Sequence, residues 1–152
     1  MTTSAFAGPL STFTQKIDGT SSGYTDQGYA VMSQRVSLTQ NSTTAVTGRV
    51  DLPQGSQITG FNIDVTTAFD SATSATLTIG TAAAGTQYVG AVDAKTAGRA
   101  APTLSAAQLT AMQNITTNHG VFVTITPVGA TTAGAATVTV FYVQQPQAGD
   151  TP

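Results

Sequence analysis

A chain of 152 residues with a net charge of −2 has the size of one domain, able to bury about two thirds of its unfolded surface. Charged residues make up 8% of it, against about 25% in ordinary soluble proteins, and the basic ones, Lys16, Arg35, Arg49, Lys95 and Arg99, form no run that could neutralise several phosphates, which argues against nucleic acid as a partner. Cysteine is absent, so a disulfide framework and thiolate metal sites are excluded.

Residues 1–28 mix Ser, Thr, Gly and Gln with isolated aromatics, among them Phe6, Phe13 and Tyr24, and hold neither period 2 nor period 3.6 for long. They read as an extended N-terminal arm that docks on a neighbouring subunit; the alternatives are a loose tail or an edge strand on the chain's own sheet. From residue 29 to residue 144 the pattern is β. "YAVMSQRVSLTQ" predicts a strand over 30–39, "TAVTGRVDLP" one over 44–52 ended by Pro53, and "SQITGFNIDVTTAF" one over 57–67. In the last, Thr59, Phe61, Ile63 and Val65 share one face, while Gly60, Asn62 and Asp64 share the other. "SATLTIGT" turns Leu77 and Ile79 inward and Thr76 and Thr78 outward, and "AAAGT" then forms a turn into "QYVGAVDA", so that these two strands make a hairpin.

"TLSAAQLTAMQN" carries the helical signal, with Ser105 as N-cap and Leu104, Leu109 and Met112 spaced to meet on one side. "GVFVTITPV" and "AATVTVFYVQQP" close the domain as two β-branched strands joined by the Gly-rich turn "GATTAG", and residues 145–152 form a C-terminal tail. Short strands separated by Gly, Pro, Asn and Ser turns, with one short helix, define an all-β class: a β-sandwich or jelly roll over 29–144 with extended terminal arms. Crossover helices are missing, which argues against a parallel α/β sheet.

The catalytic inventory is thin. One His, no Cys and no Glu are present, and no G-x-S-x-G elbow accompanies His119, which lies in a turn entering a strand. Asp64, Asp70 and Asp93 could converge on Ca²⁺ from adjacent strands, but their spacing matches no Ca²⁺ loop, so hydrogen-bonded turn aspartates are the better reading. "GTAAAGT" lacks the lysine and spacing of a phosphate loop. The expectation is a protein that is not an enzyme, with no catalytic residue, cofactor or metal ligand assigned.

Thr (30) and Ala (23) dominate the composition, so the surface is neutral and hydroxyl-rich, and a chain with so little charge repulsion associates with other protein. No apolar run approaches the ~20 residues that cross a bilayer, and the N-terminus lacks the basic start and apolar core of a signal peptide. No membrane partner and synthesis inside a cell are expected. Tyr24, Tyr29, Tyr88 and Tyr142 leave room for a sugar-binding module with aromatic platforms, although Trp is absent.

Residues 58–108 hold Phe69, Asp70, Ser71, Thr73, Ser74, Ala75 and Leu77, then Tyr88, Val92, Asp93, Lys95, Gly98 and Arg99. In this the chain resembles small structural proteins of tailed bacteriophages, with Ala72 standing where their pattern has Gly. The resemblance implies a virion protein of β-sandwich type made in the host cytoplasm. The closest role is that of a capsid decoration (cement) protein on the outer capsid surface, which clamps the major capsid protein as a homo-oligomer, more readily a trimer than a dimer. A tail, neck or head-fibre component would share these features. The candidate contact residues are Phe6, Phe13, Tyr24, Asp93, Lys95 and Arg99.

Overall fold

Eight strands and one helix follow from this patterning in a computed structural model that describes residues 30–113, 115 and 120–144. The strands are β1 (Ala30–Thr39), β2 (Val46–Asp51), β3 (Gln57–Thr67), β4 (Ser74–Gly80), β5 (Val89–Asp93), β6 (Gly98–Ala100), β7 (Gly120–Val128) and β8 (Ala135–Gln144); α1 (Ala106–Ala111) precedes β7. They form two four-stranded sheets in the orders β1-β8-β3-β6 and β2-β7-β4-β5. Every pairing is antiparallel. The pairs β1–β8, β2–β7, β3–β6 and β4–β5 are nested, as if one long hairpin had been rolled up. This is the jelly-roll arrangement of the all-β sandwich. The arms assigned to residues 1–28 and 145–152 lie outside the described residues, as does His119.

Alternation of β-branched and polar residues puts one face of each strand into a shared core. Ile63 and Val65 of β3, Leu77 and Ile79 of β4, Val121, Val123 and Ile125 of β7, and Val138, Val140 and Tyr142 of β8 meet there. Thr76 and Thr78 face outward as expected, and β4 and β5 form the expected hairpin. Tyr142 is fully buried and its hydroxyl accepts from Gln34 Nε2 at 3.1 Å, which satisfies the polar end of an otherwise apolar side chain.

The structure corrects the reading of β3 at its start. Thr59 is exposed and Ile58 is buried instead, because the pairing with β8 shifts between Ile58 and Gly60. An extra residue at such a bulge reverses the alternation before it. Ser105 does cap α1, with a reciprocal bond between its backbone and the Gln108 side chain. Met112 is buried while Leu109 is exposed, so the predicted apolar side of the helix does not close. The strand β6 was not anticipated, since "GRA" carries no alternation; it exists by pairing with Ile63–Val65 of β3. The turn "GATTAG" does join β7 to β8, but across the sandwich, delivering them to opposite sheets.

That crossing is held by the loop after β3. Asp70 Oδ1 accepts from the backbone N–H of Thr132 at 2.8 Å and of Ala133 at 3.0 Å, and Oδ2 accepts from the Thr132 hydroxyl. The Asp70 N–H donates to the Ala133 carbonyl at 3.2 Å. Beside it Phe69 is buried with its ring against Gly134, where a Cβ would come within 2.2 Å of Phe69 Cδ1. Ser71 is buried and donates to the Ser74 carbonyl at 2.7 Å.

Replacing Gly134 by Ala overpacks this corner, and a loss of about 1–3 kcal/mol is expected in chemical denaturation, against less than about 0.5 kcal/mol for Gly60→Ala, where the added methyl meets open space. The Thr132 hydroxyl and the amides of Ala133 and Thr132 hold the Asp70 carboxyl down at about 2 instead of 3.8. A lowered folded-state pKa means that the unfolded chain takes up the proton first, so this contribution is full above the unfolded value and is lost as pH falls from about 4 to about 2. Thermal unfolding followed over that range should show the loss in the native chain and a flatter profile in Asp70→Asn.

Candidate functional site

The residues that carry the phage-protein resemblance fall in two nearby runs, Phe69–Leu77 and Tyr88–Arg99, that meet in the fold. Pairing of β4 with β5 sets Thr76 opposite Asp93 and Leu77 opposite Val92. The Phe69 N–H donates to the Ala94 carbonyl at 3.1 Å, and the Ala94 N–H to the Ala75 carbonyl at 2.9 Å. Ala94 is buried between them, and a larger side chain would separate the two loops. The loops after β3 and after β5 are thus one structure at one end of the sandwich.

On this base the segment from Asp93 to Arg99, which runs from the end of β5 into β6, is exposed at every position except Ala94. Asp93 shapes it from within: Oδ1 accepts from the Lys95 N–H at 3.2 Å and Oδ2 from the Thr96 hydroxyl at 3.1 Å, the local bonding by which Asp stabilises turns. Lys95 Nζ reaches the Thr73 carbonyl at 3.5 Å and makes no ion pair among the described residues. Arg99 leaves the segment for a different partner, donating from Nε to Asp64 Oδ1 of the neighbouring strand at 3.0 Å. Asn62 Nδ2 bonds the other oxygen of Asp64 at 3.2 Å. Exposed pairs of this type contribute little stability, typically under ~1 kcal/mol.

Asp93, Lys95 and Arg99 thus do not pair with one another but enter three separate arrangements. Asp70 and Asp93 are the hydrogen-bonded turn aspartates expected, whereas Asp64 lies within β3 as the partner of Arg99, a pair hidden by the separation of the two in the chain. Asp64, Asp70 and Asp93 do not converge, each being engaged in its own loop or strand, and no group of three potential ligands forms among the described residues. Phe6, Phe13 and Tyr24 lie outside those residues.

Two tyrosines considered for sugar stacking are core residues. Tyr88 is buried against Phe61, ring centroids 6.2 Å apart, and burial pushes its phenol pKa up. Tyr142 is fully buried in the core. Neither offers an exposed platform, and Tyr24 and Tyr29 lie outside the described residues.

The outer faces of the two sheets differ. Thr124 points outward from β7 yet is 2% exposed, because the loop between β4 and β5 folds over it: the Ala84 N–H donates to Thr124 Oγ1 at 2.8 Å, and Thr47 Oγ1 lies 2.9 Å away. Ala84 adopts φ 58° to make this bond. The face of β1, β8 and β3 has no such cover from the described residues, and presents Ser37, Thr137, Thr139, Asn62, Arg35 and the Asp64–Arg99 pair, with the apolar Val31 and Phe141 toward one end. Among the described residues no helix is long and apolar enough to cross a membrane.

No protein-family model matches the chain, and no curated protein does. Among solved structures the chain is similar to one from the cyanophage Pam1 capsid asymmetric unit, at 21% identity and a TM-score of 0.51, over 93% of this chain and 94% of that one. The likeness spans nearly the whole of both chains, and what the two share is the two-sheet all-β fold.

Proposed function

We propose that this chain is a structural protein of a tailed-phage virion, which binds the outer surface of the capsid and stabilises contacts between major capsid subunits as a homo-oligomer. The observation that carries the reading is the end-to-end fold likeness to a chain of the Pam1 capsid asymmetric unit. The clustering of the phage-type residues, Phe69–Leu77 and Tyr88–Arg99, into one structure at the end of the sandwich supports it. Jelly rolls recur in capsid proteins. The role is non-enzymatic and requires neither cofactor nor metal.

A shell under internal pressure fails where its subunits meet, and a protein that bridges those seams adds buried area without chemistry. Linked copies gain further, since once one has bound, the others face their sites at an effective concentration reaching the millimolar range. The exposed segment Asp93–Arg99 is the part of the described surface best suited to such a contact, with Lys95, in no ion pair among the described residues, able to meet a carboxylate on the partner. A rigid segment loses little entropy on docking.

Virions assembled without the protein should form but release DNA at lower temperature, and adding back the purified protein should restore resistance. Lys95→Glu, exposed and outside the core, should leave the fold intact and weaken shell binding by about tenfold in a cosedimentation assay. Equal heat resistance with and without the protein, or its location in the tail alone, overturns the reading.

A further inference from the structure

Among the described residues, β1 is the longest and most regular sheet margin. It pairs with β8 through ten consecutive residues without a register shift, and it contains no proline and one charge, Arg35. The other margins are short or irregular: β6 has three residues, β5 has five and shifts register against β4, and β2 has six and carries the Arg49–Asp51 ion pair. A margin like that of β1 holds a row of N–H and C=O groups able to pair with a further strand, and natural proteins cover or interrupt such rows.

Both faces of β1 leave side chains for such a strand to meet. On the core side Met32, opposite Tyr142, is 38% exposed and Val36 is half-buried. The second sheet lies close beneath: Val46 of β2 is also half-buried, and Gly48 sits so near that a Cβ on it would come within 2.5 Å of Val36 Cγ2. Every second side chain of an added strand would therefore cover an apolar rim. On the outer face Val31 is 76% exposed opposite Val143, and Arg35, opposite Thr139, makes no ion pair among the described residues. Opposite charges set across a strand pair attract and like charges repel, so the strand that completes this margin carries a carboxylate opposite Arg35.

A second copy of β1 does not supply that carboxylate. The strand holds no Asp or Glu, and when two such strands pair antiparallel with matching faces, Arg35 meets Val31, Ser33, Arg35, Ser37 or Thr39 of its counterpart. We propose that the outer margin of β1 is a docking site for an extended segment of a different protein, which adds as an antiparallel strand with apolar residues opposite Met32 and Val36 and a Glu or Asp opposite Arg35. Antiparallel pairing is the mode of every strand pair described in this molecule and is slightly more stable per residue than parallel pairing. This surface is separate from the segment Asp93–Arg99, and the inference is independent of the virion role.

The probe is a synthetic heptapeptide, acetyl-Thr-Val-Glu-Thr-Thr-Val-Ile-amide, which runs antiparallel to residues 31–37 and sets its Glu opposite Arg35. Offered to the full-length protein, it should slow hydrogen exchange of the β1 amides that do not pair with β8, and replacing its Glu by Lys should weaken binding about fivefold. Arg35→Glu should reverse that preference, and Arg35→Gln should abolish it. N-methylation of alternate peptide amides separates strand addition from loose apolar contact: methyls on the amides that face β1 should abolish binding, and methyls on the other set should spare it. No binding up to about 1 mM peptide, protection confined to residues outside β1, the same effect of both N-methylated sets, or an unreversed preference in Arg35→Glu would each overturn the proposal. So would protection of those β1 amides before peptide is added, whether independent of protein concentration, as cover by the chain's own residues requires, or rising with it, as a second copy requires.

Discussion

The fold depends on the corner at Phe69, Asp70 and Ser71. A sandwich has two sheets that share apolar contacts but no backbone bonds, so something must fix how one lies over the other. Here the loop leaving β3 does so three times within three residues: Phe69 fills the space that Gly134 leaves open, Asp70 takes the amides of the β7–β8 crossing, and Ser71 closes its own turn onto the start of β4. Apolar burial is non-directional and would tolerate a range of offsets. Charge-assisted bonds to two consecutive backbone N–H groups do not. The bond from Phe69 N–H to the Ala94 carbonyl extends the same junction to the loop after β5, so the exposed segment Asp93–Arg99 inherits its position from this corner.

Much of the strand content was legible because it is local. A half-buried strand shows its two faces in successive residues, and β1, β3, β4 and β8 read directly from their alternation. The partition of strands between sheets was not legible, since it depends on partners far away in the chain: β1 pairs with β8, and Gln34 meets Tyr142 across 108 positions. The inversion at Ile58 and Thr59 belongs to the same class, because a bulge is a property of the pairing and not of one strand. The strand β6 illustrates the limit. Three residues with no periodicity become a strand because β3 offers an open side.

The candidate surface was legible in its composition and not in its connections. A run such as "AVDAKTAGR" announces an exposed, charged segment, and that is where the structure places it. Which charges pair was hidden. Arg99 finds Asp64, 35 residues earlier, since β6 docks on β3, whereas Asp93 turns inward to its own loop. The aromatic residues show the converse: Tyr88 and Tyr142 look like exposed amphipathic side chains in composition, and only the stacking of two sheets consumes them as core.

The open face of β1, β8 and β3 has a property that follows from its chemistry. Its middle is made of Ser37, Thr137, Thr139 and Asn62, with the Asp64–Arg99 pair neutralising itself, while Arg35 and the exposed Val31 and Phe141 lie on the same face. Hydroxyl and amide dipoles attract at contact range and are hardly affected by dissolved ions, whereas separated surface charges are screened within about 8–10 Å at ordinary ionic strength. A contact confined to these hydroxyl and amide groups therefore keeps nearly the same strength in fresh water and in brine.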